Sequence, residues 1–206
     1  MPQHYKSWYD EFLNPPDVEA LRTWIGSDPE FLSSLDRDGE TPLRLCIDCG
    51  PVSFVRLCIE RGANPNAPTD DCGYTDMLSA VERDGEDAVR IVRLLLAAGA
   101  NVDGDQDYEY AQPPLIKACR FARLDLAEVL LDAGAKINLE HDDDTALIAA
   151  TRHGHAEIVA LLLAHNADTT IQPLCHPSVL ALARESVHPE RDRIITMLVN
   201  AARGSN

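Results

Sequence analysis

Residues 145–168, TALIAATRHGHAEIVALLLAHNAD, contain two short apolar patterns separated by a glycine. In the first, small and apolar residues such as Leu147 share one face of a helix that is too short to be stable alone. Gly154 ends this helix, and apolar residues then recur from Ile158 with the i, i+3, i+4 spacing of an amphipathic helix. Asn166 stands where a left-handed residue closes that second helix. The stretch therefore predicts a helical hairpin that needs similar hairpins beside it to enclose a core.

Copies of this hairpin lie on both sides of it in the sequence. Each copy opens with a related string: TPL at 41, TDM at 75, PPL at 113, TAL at 145 and SVL at 178. The steps between them are 34, 38, 32 and 33 residues, which indicates a period of about 33 residues. In the first copy, Thr41 is expected to cap the helix and Pro42 to occupy its first position without losing a hydrogen bond.

The two ends of the chain carry incomplete copies. Residues 7–13 and 17–25 are each predicted to be helical, and the segment starting at His188 is predicted to form a last helix through Val199. Terminal units of a repeat array expose one face to water, which explains their irregular sequences. We expect one domain over 1–206, with a capping unit at 1–35, four repeats at 36–170, a capping repeat at 171–202 and a tail at 203–206.

The repeated strings resemble those of a known family. Thr41-Pro42-Leu43 matches the T-P-L opening of ankyrin repeats, Gly154-His155 matches their inter-helix turn, and Gly-Ala pairs close the second helices. Over about residues 36–202 the chain resembles an ankyrin-repeat protein. This resemblance implies an all-α solenoid of stacked helix-turn-helix units with β-turn fingertips.

One departure from the family pattern recurs, because no repeat keeps the histidine that follows T-P-L. The residues at that position are Arg44, Leu78, Ile116 and Ile148. Their presence predicts a weaker hydrogen-bonded tether between turns, with stacking unaffected.

Composition and charge narrow the range of possible functions. The chain has 34 Asp and Glu against 18 Lys and Arg, a formal net charge of −16, which would repel nucleic-acid phosphates and favours a basic partner. No apolar run approaches the length of a membrane span, and the first residues lack the apolar core of a signal peptide. We predict a monomeric cytoplasmic protein whose six cysteines are reduced.

The resemblance also implies a binding surface. In ankyrin arrays the fingertips and the exposed side of each first helix form a concave face that binds proteins. The residues at those positions here are Asp38, Glu40, Asp48, Asp71, Tyr74, Glu82, Arg83, Tyr108, Glu109, Tyr110, Gln112, Lys117, Arg120, Phe121, His141, Asp142, Asp144, Arg152 and His153. The tips are acidic and carry tyrosines, which are frequent in binding hot spots.

The other motifs are weaker evidence of function. Carboxylates alternate over 103–109 like calcium ligands, but Tyr108 and Pro114 stand where an EF-hand has its glycine and its last glutamate, so an acidic fingertip fits better. Cys46 and Cys49 form one CxxC with no second pair to complete a zinc site, which favours packing within a helix. The sequence contains no readable nucleophile set and no glycine-rich phosphate loop, so we predict no catalytic residue, metal or cofactor.

Three hypotheses of function follow. The first is a non-enzymatic module that binds a basic protein through its acidic concave face and fingertips. The second is a dedicated inhibitor or immunity-type protein that neutralises a basic enzyme or toxin by electrostatic complementarity. The third is a metal-linked or redox-linked role resting on the cysteines and the acidic loop.

Overall fold

The protein is all-α over the residues that the structure describes. This computed structural model describes residues 17–27, 30–35, 39–67, 74–105, 112–172 and 178–204. An isolated β-bridge between His141 and Asp144 forms one fingertip. The chain groups into two compact units, Met1–Ala111 (unit 1) and Gln112–Asn206 (unit 2).

In the described residues of unit 1, one helix precedes two stacked helix pairs. Its elements are α1 (Val18–Ser27), a 3-10 turn (Phe31–Ser33), α2 (Pro42–Cys49), α3 (Val52–Glu60), α4 (Asp76–Glu82) and α5 (Asp87–Ala97). The first helices α2 and α4 pack against each other, and so do the second helices α3 and α5. Leu21, Phe31, Ile47, Phe54 and Ile91 are among the fully buried side chains of this core.

The part of unit 2 that the structure describes contains three helix pairs. They are α6 (Pro114–Arg120) with α7 (Leu124–Asp132), α8 (Ala146–Arg152) with α9 (Ala156–Ala164), and α10 (Val179–Glu185) with α11 (Arg191–Gly204). The helix α8 packs against α6 on one side and α10 on the other. This position explains its sequence, because every residue of α8 except Arg152 is buried, and small residues let three helices approach closely.

The predicted local signals of the central hairpin are confirmed. The Thr145 side chain caps α8 by accepting a hydrogen bond from the N–H of Ile148 at 3.3 Å. Gly154 and Asn166 both have positive φ, at 75° and 62°, and they end the two helices. The first repeat follows the same rule, since Thr41 caps α2 and Pro42 is its first residue.

The ends of the chain differ in part from expectation. The predicted helix at 7–13 lies outside the described residues. The helix at 17–25 is confirmed as α1, with Asp17 Oδ1 accepting the N–H groups of the first turn at 2.9 and 3.1 Å. The predicted tail was placed too early, because α11 continues through Gly204. The positive charge of Arg203 in the last turn interacts favourably with the negative end of the helix dipole and stabilises this turn. No helix breaker precedes Gly204.

The prediction of a weak tether is wrong for the first repeat. Arg44, which follows T-P-L, is fully buried and donates from Nη2 to the Tyr74 carbonyl at 2.5 Å and from Nε to Asp76 Oδ1 at 3.0 Å. The arginine therefore joins two consecutive repeats. The other residues at this position, Leu78, Ile116 and Ile148, are buried apolar side chains that contribute by packing.

Candidate functional site

A polar pocket of about 420 Å³ opens in unit 1 at the C-terminal ends of α2 and α4. Its lining residues are Asp48, Tyr74, Ser79, Glu82, Arg83 and Asp84. The lining therefore includes three carboxylates and one guanidinium. Asp48 and Glu82 lie in the last turns of their helices, where the partial negative charge of the helix dipole adds to theirs. This acidic pocket is a site of concentrated negative potential.

Hydrogen bonds fix the side chains of the acidic pocket. Ser79 donates its hydroxyl to Asp48, and the Tyr74 hydroxyl donates to Glu82 Oε2 at 2.5 Å. Arg83 reaches back to the end of α2, where it donates to the carbonyls of Ile47 and Gly50, the latter at 2.8 Å. These bonds link the two repeats and pre-organise the pocket.

Tyr74 is held from three directions. Its carbonyl accepts from Arg44, its ring lies 4.7 Å from the Arg44 Cζ in a cation–π contact, and its hydroxyl donates to Glu82. Burial and then the Glu82 contacts raise the pKa of Tyr74, so the hydroxyl stays protonated and remains a donor. The side chain is a rigid wall of the pocket.

The buried ion pair of Arg44 and Asp76 supports this wall from beneath. Their side chains are 2% and 1% exposed, and Oδ2 of Asp76 has no hydrogen-bond partner among the described residues. Burial raises the pKa of Asp76 to about 6, an effect larger than the lowering by Arg44. Glu40 lies 4.0 Å from the same guanidinium. The pair holds the repeats together at the expense of a desolvated carboxylate.

Unit 2 brings together a second set of predicted residues. Asp144, 3% exposed, lies between two arginines: Arg120 Nη2 is 3.2 Å from Oδ2, and Arg152 Nη1 and Nη2 are 3.1 Å from Oδ2 and 2.9 Å from Oδ1. With its amide oxygen turned toward Arg120, Gln112 accepts from Nη1 at 3.2 Å and Nη2 at 3.1 Å. Asp144 thus positions the two guanidiniums, here called the arginine pair, and has no exposed surface for a partner.

Two histidines lie beside the arginine pair, and a third lies at the fingertip. His155 Nε2 is 3.1 Å from the Arg120 carbonyl, and the His153 ring stacks on the His155 ring with centroids 5.9 Å apart. Burial, followed by His155 and the arginine pair, lowers the pKa of His153. At the fingertip, His141 Nδ1 lies 3.4 Å from Asp142 Oδ2, and neither ring nitrogen has a hydrogen-bond partner among the described residues.

An exposed aromatic side chain completes this surface. Phe121, which follows Arg120, is 57% exposed, and the Lys117 ammonium lies 5.2 Å from its ring centroid. Large exposed apolar side chains at such positions are candidates for contact with a partner.

Eight of the predicted binding residues therefore form two groups, four in each unit. Asp48, Tyr74, Glu82 and Arg83 meet at the acidic pocket, and Gln112, Arg120, Asp144 and Arg152 meet around the arginine pair. The predicted residues outside the described ranges are Asp38, Asp71, Tyr108, Glu109 and Tyr110.

Sequence reasoning missed the lining residues Ser79 and Asp84 and the support from Arg44 and Asp76. The available signal was a strongly polar pair, Arg44 and Asp76, at helix positions that the repeat pattern makes buried. The residues are 32 apart, one repeat period, so the pattern could have suggested their contact.

The CxxC cysteines occupy different environments. Cys46 is fully buried with its sulfur 3.8 Å from that of Cys58, whereas Cys49 is exposed at the end of α2. The Cys58 contact and burial raise the pKa of the Cys46 thiol, which disfavours the thiolate that metals bind. Of the acidic loop at 103–109, the structure describes residues 103–105, with Asp103 buried and its N–H donating to Asn101 Oδ1 at 3.2 Å.

Comparison with known proteins identifies the family. A family model described as Ankyrin repeats (3 copies) matches residues 86–173, and one described as Ankyrin repeat matches residues 38–70; together they cover more than half of the chain. The stacked helix pairs define a repeat scaffold of the protein-binding class. The chain belongs to the ankyrin-repeat family, whose members are typically non-enzymatic modules for protein–protein interaction.

Individual relatives are much longer than this chain. It is 30% identical over 134 residues to "Ankyrin repeat and KH domain-containing protein mask-1" of Caenorhabditis elegans, covering 65% of this chain and 5% of that protein. It is 39% identical over 88 residues to "Ankyrin repeat, SAM and basic leucine zipper domain-containing protein 1" of Homo sapiens, covering 40% and 18%. It is 25% identical over 170 residues to "B-cell lymphoma 3 protein homolog" of Mus musculus, covering 82% and 37%.

The described helices are too short or too polar for the bilayer, so none of them qualifies as a membrane span.

Proposed function

We propose that this chain binds a basic segment of a partner protein through the acidic pocket of unit 1. The observation that carries the proposal is the convergence of Asp48, Glu82 and Asp84 on one pre-organised pocket beside Tyr74. A lysine or arginine side chain of the partner fits both the volume and the charge of this pocket, and its stem would pack on the tyrosine ring. Binding, rather than catalysis, is the activity that this arrangement supports.

The charge distribution supports a basic partner. Unit 1 (residues 1–111) contains 22 Asp and Glu against 9 Lys and Arg, a net charge of −13, whereas unit 2 contains 12 against 9, a net charge of −3. Most of the negative field therefore surrounds the unit that carries the acidic pocket. Such a field attracts a cationic protein and accelerates its association.

The same field disfavours nucleic acid and anionic membrane surfaces as partners. We place the protein in the cytoplasm as a monomer, and the closely spaced free thiols of Cys46 and Cys58 support a reducing compartment.

The proposal is tested with a double variant, Glu82→Gln with Asp84→Asn, and a matched control, Glu19→Gln with Glu60→Gln. All four residues are exposed and lie in unit 1, so the two variants change the net charge equally. The full chain is immobilised, its partners are captured from native lysate and identified, and the affinity of each purified partner is then measured.

We expect the pocket variant to bind a basic partner at least about tenfold more weakly than the control. We also expect the affinity of both wild type and control for this partner to fall as the salt concentration rises. Equal affinities of the two variants would contradict the pocket. If the captured protein is an enzyme or toxin whose activity falls on binding, the chain is a dedicated inhibitor; if its activity is unchanged, the chain is an adaptor.

A further inference from the structure

We propose that unit 2 carries a second binding site, of opposite charge preference, in which the arginine pair receives a carboxylate from an acidic segment of a protein. This site is independent of the acidic pocket and of the proposed function. It uses the edge of unit 2 formed by the ends of α6, α8 and α10.

The sign of the charge changes along one equivalent position of the repeats. The position lies seven residues after each first-helix N-cap, and its occupants are Asp48, Glu82, Arg120, Arg152 and Glu185. The first two belong to the acidic pocket of unit 1. The next two are the arginine pair, so the position that attracts cations in unit 1 presents guanidiniums in unit 2.

The arginine pair is already held for binding. Asp144 is nine-tenths or more buried and contacts both guanidiniums, and Gln112 contacts that of Arg120. A single carboxylate balances only one of the two positive charges. Each guanidinium has five N–H donors, more than Asp144 and Gln112 can take. Arg152 Nη2 is itself buried, but each arginine side chain as a whole is 32% exposed. A second carboxylate can therefore bind without the entropy loss of ordering the arginines.

Aromatic and aliphatic surfaces flank the pair. Phe121 and His153 are the C-caps of α6 and α8, directly after the two arginines. On the other side, Arg152 lines a pocket of about 220 Å³ together with Leu182 and Val187, the latter 95% exposed. This pocket has the volume for one aliphatic side chain, so an apolar residue next to the bound carboxylate would fill it.

The surrounding charges select a monoanion. Glu185 also lines the 220 Å³ pocket, so a second acidic side chain there would be repelled. The arginine pair and Asp144 together carry one net positive charge, which matches a carboxylate better than a doubly charged phosphate.

The turn after α10, which carries part of the 220 Å³ pocket, lies close to the end of α8. A Cβ built on Gly154 would lie 2.6 Å from His188 Cγ in this turn. The preferred motif is an acidic residue adjacent to an aliphatic one.

The test uses NMR titration of the full-length, isotope-labelled chain with N-acetyl-Glu-Leu-amide at low ionic strength, up to about 20 mM. We expect saturable shifts of the Arg120 and Arg152 Nε–Hε signals and of the Leu182 and Val187 methyl signals, with a Kd in the millimolar range. N-acetyl-Gln-Leu-amide and N-acetyl-Glu-Glu-amide should each bind at least about tenfold more weakly.

Val187→Asp, at a nearly fully exposed position, should abolish the shifts while leaving the fold unchanged, and Leu35→Asp in unit 1 is the matched control that should bind normally. Equal binding of the Glu and Gln peptides, or normal binding by Val187→Asp, would overturn the proposal. So would equally strong shifts with inorganic phosphate, which would indicate a general anion site. Substitutions in the acidic pocket should not affect this titration, so the proposals for the two sites can be refuted separately.

Discussion

Replacing Asp76 with asparagine isolates the effect of burying a carboxylate beside Arg44. Asparagine has nearly the same shape and keeps an oxygen that can accept from Arg44 Nε, but it does not titrate. In the wild type, burial raises the pKa of Asp76 from 3.8 to about 6 in spite of the arginine. The difference in unfolding free energy between Asp76→Asn and wild type should therefore depend on pH.

The sign and size of this pH dependence follow from the linkage between proton binding and folding. An acid whose pKa is raised on folding binds more protons in the native state, so its contribution to stability is complete below pH 3.8 and is lost as pH rises through about 6. The difference between a pKa of 3.8 and one of about 6 corresponds to about 3 kcal/mol, since a tenfold change in an equilibrium constant is about 1.4 kcal/mol. Between pH 4 and pH 7, Asp76→Asn should gain about this much stability relative to wild type, and the difference should be constant above pH 7.

Urea denaturation followed by circular dichroism at pH 4, 5, 6 and 7 measures this difference, and the carboxyl carbon chemical shift of Asp76 reports its pKa directly. Asp84→Asn, at an exposed position, controls for the loss of one negative charge. If wild type instead gains stability relative to Asp76→Asn as pH rises, attraction by Arg44 exceeds the desolvation of Asp76. That result would refute the reasoning about this pair.

Two further substitutions test the turn and cap of the central hairpin. Gly154→Ala should cost about 2–4 kcal/mol in urea denaturation, because φ is +75° and the new Cβ would meet His188 at 2.6 Å. Gly62→Ala has a similar φ of +94° but open space, so it should cost only about 1 kcal/mol, and equal losses would contradict the steric argument. Thr145→Ala should lose about 0.5–2 kcal/mol with its cap, whereas Thr196→Ala, whose exposed hydroxyl bonds within its own helix, should change the melting temperature much less; similar shifts would argue against the cap.

The helix pairs were predictable because their signals are local. A cap, a proline at the first helical position and a residue with positive φ each act within one turn of chain, as at Thr41 and Asn166. The period of about 33 residues then required stacking, since a single hairpin cannot bury its apolar face. The length of α11 was less predictable, because helix ends depend on weak propensities.

The candidate sites were predictable only in part. The family pattern selects the exposed positions of each repeat, and four of the residues so selected line the acidic pocket. The pattern does not indicate that Asp144 is covered by Arg120 and Arg152, because that depends on which rotamers bring long side chains together. The sequence pattern predicted a weaker tether at Arg44 because the partner of this side chain, Asp76, lies 32 residues further along the chain.

The sequence by itself determined the repeat family, the order of the helices and the excess of acidic residues, since these depend on residue spacing and composition. The tertiary structure decided which charges face each other. Arg44 meets Asp76 across 32 residues and Arg120 meets Asp144 across 24, contacts that exist only after neighbouring repeats stack. Stacking therefore forms an acidic pocket in unit 1 and an arginine pair in unit 2 of one acidic chain, because burial and proximity add to net charge in setting the local potential.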